Sequence, residues 1–344
     1  MISCVVKTMD MSWTCQWKGK ERYYEALDGK VILSREEEIQ KVKQKLENFL
    51  STSNSPLSTV FVSKDCVNDI NEENVDNVEI ADAYNLRLQC RKNEFQEPTC
   101  NSSLVGNHVQ ANVVILPSKY ATDFLQFCLK NYQGCPLLEM IGPGQKSRLC
   151  KDLDIRSDLP KYWLYQNGSK TAEFLNVTSI FDENDFVTFL LGCSFSWENL
   201  LSDLGLCPRQ VEEGFNVPMY RCLNNHNTPV HIQNSAQDFA GHLVVSMRPY
   251  KKENIQKVID VTKRFPQVHG APVHIGNPEV LGIKDLDKPD FGDKVTVREG
   301  EVPVFWACGI TSQEGLMSAN LPFAITHAPG HMLVMDISNS DLEQ

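Results

Sequence analysis

The chain has 344 residues, 42% of them hydrophobic and 22% charged, with a formal net charge of −11. That length can bury a large core in one or two domains. The acidic balance argues against nucleic acid or an anionic membrane as partner, since both need a basic face. No run reaches the ~18 apolar residues of a membrane span. The N-terminus lacks the apolar core of a secretory signal, and Lys7, Lys18 and Lys20 against Asp10 mark a mitochondrial presequence only weakly. The twelve cysteines include no C-x-x-C pair and read as reduced, mostly buried thiols of an intracellular protein.

In chain order, residues 1–83 read as a variable extension with one amphipathic helix, and residues 84–344 as a domain denser in structural signals. In the extension, residues 34–50 are predicted helical, with Ser34 and Glu37 as a capping box and Ile39, Val42, Leu46 and Phe49 at helical spacing. Residues 51–56 form a polar linker, 59–62 a short strand and 68–79 an acidic, Asn-rich loop. Residues 113–116 then read as a buried strand stopped by Pro117, with Ser118 capping a helix to about Asn131. Segments 162–166 and 170–174 flank Asn167-Gly168, a hairpin signal. Residues 186–191 form a strand, and 197–204 a helix ended by Gly205. Residues 243–247 form a strand, 254–264 an amphipathic helix and 302–307 a strand. Strands alternating with helices predict an α/β fold with a mixed sheet. Gly192-Cys193-Ser194-Phe195-Ser196 and Ala307-Cys308-Gly309-Ile310-Thr311 share one pattern, 115 residues apart, which suggests two similar α/β halves.

The chemistry-bearing candidates lie in the last third. His269-Gly270-Ala271-Pro272-Val273-His274 and His327-Ala328-Pro329-Gly330-His331 hold four of the eight histidines. Proline and glycine exclude a helix that would set either pair on one face, so zinc ligation is not favoured over proton transfer or a structural role. Each echoed turn should expose backbone N–H groups, with Ser194, Ser196, Cys308, Gly309 and Thr311 as donors. Arg248, at a strand end before proline, and Arg221, ending Asn216-Val217-Pro218-Met219-Tyr220-Arg221, are candidate carboxylate clamps or members of structural ion pairs.

Several ordered segments resemble the D-glutamate cyclase family, whose bacterial members are often labelled hydro-lyases. They include Gln110-Ala111-Asn112, Cys135-Pro136-Leu137-Leu138-Glu139, residues 154–160, the Cys193 turn, residues 216–221 and residues 244–249. The His269 loop, Phe305-Trp306-Ala307-Cys308-Gly309 and residues 326–332 complete the set, which spans about residues 84–336. The segment 98–106 departs from the family's Gly and Ala-Pro-Gly pattern, which puts substrate range in question.

The resemblance implies an α/β lyase that closes D-glutamate to 5-oxo-D-proline and water, without a metal or cofactor. It implies a small-molecule partner, leaves homo-oligomerisation open, and points to the mitochondrial matrix, with the cytoplasm as the alternative. On chemical grounds, His274 and His331 would move protons, with His269 and His327 as alternates. Arg248 or Arg221 would hold a carboxylate, and Asn216 would line the substrate. Another hydro-lyase, a lactam hydrolase or an inactive binding module are the competing readings.

Overall fold

The computed structural model describes residues 3–8, 11–18, 21–26, 60–63, 77–99 and 105–344. The helix expected over 34–50 and the linker over 51–56 lie outside these residues. Strands β1 (Ser3–Thr8), β2 (Met11–Lys18), β3 (Glu21–Ala26) and β4 (Val60–Ser63) precede helix α1 (Asn77–Arg91). Then follow β5 (His108–Pro117), α2 (Ala121–Lys130), β6 (Leu137–Ile141), β7 (Tyr162–Gln166), β8 (Ser169–Phe174), β9 (Phe186–Gly192), α3 (Glu198–Asp203) and α4 (Arg209–Glu213). Strands β10 (Met219–His226), β11 (Val230–His231), β12 (Asp238–Phe239) and β13 (His242–Lys251) lead to α5 (Ile255–Thr262). The chain continues through β14 (His274–Ile275), β15 (Glu301–Ala307), α6 (Thr311–Ala319), β16 (Ala324–His327) and β17 (Leu333–Ser338).

These elements form an α/β fold whose strand pairs, among the described residues, are antiparallel. The large sheet runs β3-β2-β1-β4-β6-β9-β5-β16-β7-β8, with β17 also on β5; a smaller one runs β10-β13-β15-β14. Alternation sends the side chains of β5 to two cores. Val109, Ala111, Val113 and Ile115 join Trp197, Trp306 and the α5 residues Val258 and Val261. Val114 and Leu116 join Phe124 and Phe127 of α2 and Leu316 of α6.

Two local expectations need correction. Ser118 does not cap the helix: a 3-10 turn over Ser118–Tyr120 comes first, and Tyr120 occupies the N-cap without a side-chain bond. Instead, the Ser118 side chain bonds Asp185. The acidic loop expected over 68–79 gives way at Asn77 to α1. Ala83, Leu86 and Cys90 lie one helical turn or two apart and pack with Val334 of β17. The Asn167-Gly168 hairpin forms as read, with φ 50° and 71° at its two central residues.

The smaller sheet repeats the centre of the larger. The order β6-β9-β5-β17 matches β14-β15-β13-β10. Strands β5 and β13 each have ten residues, and each runs through a 3-10 turn into a helix. The final strand is exchanged: β10 follows the first half's turn yet pairs β13, whereas β16 and β17 follow the second half's turn and pair β5. Each half thus completes the other's sheet, and the echoed turns are carried to one place.

Candidate active site between two thiol turns

The two turns are held by the same bonds. Cys193 N–H donates to Gln110 O (3.1 Å), and Gln110 N–H returns a bond to Ser196 Oγ (3.0 Å). Cys308 N–H donates to Val244 O (2.9 Å), and Val244 N–H returns a bond to Thr311 Oγ1 (3.1 Å). The hydroxyls of Ser196 and Thr311 therefore staple each turn to a central strand, a structural duty rather than the substrate-donor role expected of them. Two glycines make the close approach possible. A Cβ on Gly192 would stand 1.9 Å from Gln267 O, and one on Gly309 2.1 Å from Asn112 Nδ2.

The turn N–H groups are not free either. The Phe195 N–H is directed at the Cys193 sulfur, and the Gly309 and Ile310 N–H groups at the Cys308 sulfur. This corrects the expectation of open oxyanion donors at the turns. Both cysteines pack in one apolar cluster with Phe195, Ile310, Met219 and Met332. Burial pushes the Cys193 thiol well up and that of Cys308 up to about 11, against the pull of these N–H groups and of Arg248. Both thiols are neutral at pH 7.

Arg248 lies under the cluster, 0% exposed, between Trp197 and Trp306, whose ring centroids are 4.7 and 5.4 Å from its guanidinium carbon. Its Nε donates to Glu198 Oε1 (2.8 Å), Nη1 to Ser246 Oγ (2.9 Å) and Nη2 to Ser194 Oγ (3.0 Å). Nη2 also contacts Glu198, which Gln210 Nε2 bonds at 2.8 Å. A buried cation requires such a partner. The clamp role expected of Arg248 is thereby corrected, because its carboxylate partner is Glu198 of the chain itself. The group it presents onward is the Ser194 hydroxyl, whose oxygen it polarises. Arg221 is likewise engaged, donating to Glu314 Oε1 (2.8 Å) and Asp290 Oδ1 (2.9 Å) with Phe291 beneath it. Asn216 is fixed through its backbone to Asp293, beside Val217 of the thiol cluster.

The four histidines separate. His274 pairs in register with Phe305, whereas Arg248 pairs with Val304, so the two stand on opposite faces of the smaller sheet. His274 stacks on Phe305, and its ring bonds Asn277 O (2.8 Å). Its expected place at the proton-handling site is thereby corrected. His327 accepts the Val113 N–H at Nδ1 (3.1 Å), where β16 and β17 part from β5. Its imidazole fills a ladder position, which accounts for it without chemistry.

His269 and His331 keep a lone pair available. His269 Nδ1–H donates to Gln133 O (2.7 Å), and His331 Nδ1–H to Pro329 O (2.9 Å), so Nε2 is the basic nitrogen of each. His269 is 3% exposed, and its Nε2 has no partner among the described residues. Burial drives its pKa down to about 4, helped by the Arg248 charge. Burial also lowers that of His331, on the loop that carries Met332 to the cluster. Thr99 braces this loop, donating to Gly330 O (3.1 Å) and accepting the Met332 N–H (3.0 Å). Residue 99 of the divergent 98–106 segment thus supports the His331 loop directly.

A family model described as D-glutamate cyclase matches residues 187–336, a span that contains both thiol turns, Arg248 and both histidine loops. A protein of Burkholderia cenocepacia called "Putative hydro-lyase" is 48% identical over 260 residues, covering 75% of this chain and 97% of that one. A namesake from Burkholderia multivorans is 49% identical over 260 residues, covering 75% and 96%. The chain belongs to the D-glutamate cyclase family. As a member of that family it is a hydro-lyase, an enzyme that breaks a carbon–oxygen bond. The Bordetella pertussis family member is 48% identical over 261 residues, covering 75% and 91%. Among solved structures, a nitrogen repressor-like protein of Methanococcus jannaschii has a TM-score of 0.31 and 10% identity over 77% of this chain and 97% of that one, a likeness that carries neither fold nor function.

Glu198, Ser246, Asn112 and Gln210 belong to this constellation and were given no role from the sequence. Asn112 and Ser246 lie in the family-like segments 110–112 and 244–249, whereas no local motif marks Glu198 and Gln210. Overlaying the two halves by the thiol turns would have found Glu198, whose counterpart is Gln313; the counterpart of Arg248, Val114, follows only from the structure, where Gln110 and Val244 hold equivalent places on β5 and β13. The pair that breaks the repeat is the buried ion pair. Among the described residues no cluster of three or more His, Cys, Asp or Glu could hold a metal ion.

Proposed function

We propose that this hydro-lyase closes D-glutamate to 5-oxo-D-proline with loss of water. The observation that supports the reading is that the span matched by the D-glutamate cyclase family model contains the groups that meet at the thiol turns. Ring closure requires a free α-amine, a donor for the oxygen of the tetrahedral intermediate and a proton for departing hydroxide. His269 Nε2 is an unpartnered neutral base that accepts the ammonium proton. Ser194, its oxygen bonded by Arg248, donates its hydroxyl hydrogen to the substrate's oxygen. His331 carries a proton to the leaving group. The exclusion of water by the surrounding apolar cluster strengthens each of these interactions.

Incubation with D-glutamate and, separately, L-glutamate, followed by chiral detection of 5-oxoproline, tests this. The expected result is 5-oxo-D-proline from D-glutamate. No product from either isomer overturns the reading. Ser194→Ala is expected to lower kcat/KM by about 100-fold, the usual size for loss of one oxyanion donor.

A further inference from the structure

We infer that Cys193 and Cys308 form an acid–base pair that exchanges and inverts the Cα proton of an α-amino dicarboxylic acid of glutamate's size. The inference rests on the substrate class of the preceding reading, not on its ring closure. Inversion at carbon requires one group to take a proton from one face and another to deliver a proton to the opposite face. A repeated half that places one thiol from each copy in a shared cluster supplies such a pair.

Four observations converge. The two sulfurs are held alike, each by an N–H from its own turn and within the field of one guanidinium, Arg248. Cys193 and Cys308, although buried, keep 7% and 9% exposure where the strand residues Leu191 and Ala307 before the turns have 0%, so the turns lie nearer the surface than the strands that lead to them. His269 Nε2, also within the field of Arg248, is a buried acceptor without a partner, and a substrate ammonium group supplies the donor it lacks. Finally, Arg248 and Glu198 stand where the other half has Val114 and Gln313. That asymmetry fixes which way round the substrate lies, with Ser194 the donor to one of its carboxylates, while leaving the thiols as matched partners.

The step needs no oxidant or cofactor. One thiol first gives up its proton to solvent; the thiolate so formed makes an S–H bond to the Cα proton as the C–H bond breaks, and the electron pair passes into the α-carboxylate. The thiol of the other cysteine then gives its proton to Cα from the opposite face and becomes the thiolate. Return of a proton by the first cysteine instead leaves the configuration unchanged but exchanges the hydrogen with solvent. The Arg248 charge and the turn N–H groups pull toward the thiolate in both states and offset part of the opposing effect of burial.

The test is proton NMR of D-glutamate and L-glutamate with the full chain in deuterium oxide, with chiral chromatography of glutamate and 5-oxoproline from the same tubes. Loss of the Cα signal and appearance of the opposite enantiomer of glutamate are expected. Cys193→Ser and Cys308→Ser should each slow inversion by about 100-fold or more, and Cys207→Ser, outside the thiol cluster, should leave it unchanged. A wild-type protein that exchanges no Cα proton overturns the inference, whatever the variants do. So does inversion at the wild-type rate by the folded double variant. Cyclisation without Cα exchange overturns this inference alone, whereas exchange without cyclisation supports it and overturns the preceding reading.

Discussion

His269 and His327 are neutral for one shared reason: each ring is enclosed, and burial brings its pKa down to about 4 from the usual 6.5. In the unfolded chain both rings take up protons once the pH falls through 6.5. The unfolded state therefore binds more protons between pH 6.5 and 4, and stability is lost across that window as pH falls. The loss is on the order of 3 kcal/mol for each ring. Urea midpoints measured from pH 7 to pH 4 should show this steep decline, and His269→Gln should flatten it. His331, whose pKa is lowered in the same direction, adds to the slope. Neutrality through pH 5–8 leaves the His269 Nε2 lone pair free, and a negative charge brought against it would have to raise its basicity toward the operating pH for it to accept a proton.

At the scale of elements, the hydroxyl staples decide where the turns sit. Ser196 and Thr311 satisfy strand N–H groups that would otherwise be buried and unpaired. Thr311→Val keeps the shape but orphans Val244 N–H, and should cost about 1–3 kcal/mol. Ser196→Ala should cost a similar amount at Gln110. Calorimetry or urea unfolding of each variant reads this directly, and a change below a few tenths of a kcal/mol would show that water replaces the hydroxyl. The residue types were legible in the sequence echo, but their duty was not. A serine three positions after a cysteine reads equally well as cap, ligand donor or strand partner until the neighbouring strand is known. The same ambiguity hid Arg248, whose partner Glu198 is 50 residues away in the chain.

At the scale of the molecule, the exchange of β10 against β16 and β17 ties the halves together. Neither half can close its sheet alone, so the two should unfold as one cooperative unit. Denaturation followed by tryptophan fluorescence, with Trp197 and Trp306 in the shared core, and by far-UV circular dichroism should give coincident transitions. Separate midpoints would mean that the halves are independent.

Local chemistry by itself determined much of this protein. Pro117 ended a buried strand, Asn167-Gly168 set a hairpin, and the apolar runs before Gly192 and Cys308 became strands entering turns. These are matters of backbone freedom and hydrophobic period, which adjacent residues carry. The family resemblance was likewise legible in ordered short motifs. Tertiary structure alone decided which of those motifs share a site. It put His274 on the far face of the smaller sheet through a register no local pattern states, and gave His327 to a ladder gap. It enclosed Arg248 with Glu198, and it brought Cys193 and Cys308, 115 residues apart in the chain, into one cluster. Pairing across long separations depends on sheet order and burial, and a linear chain does not display either until it has folded.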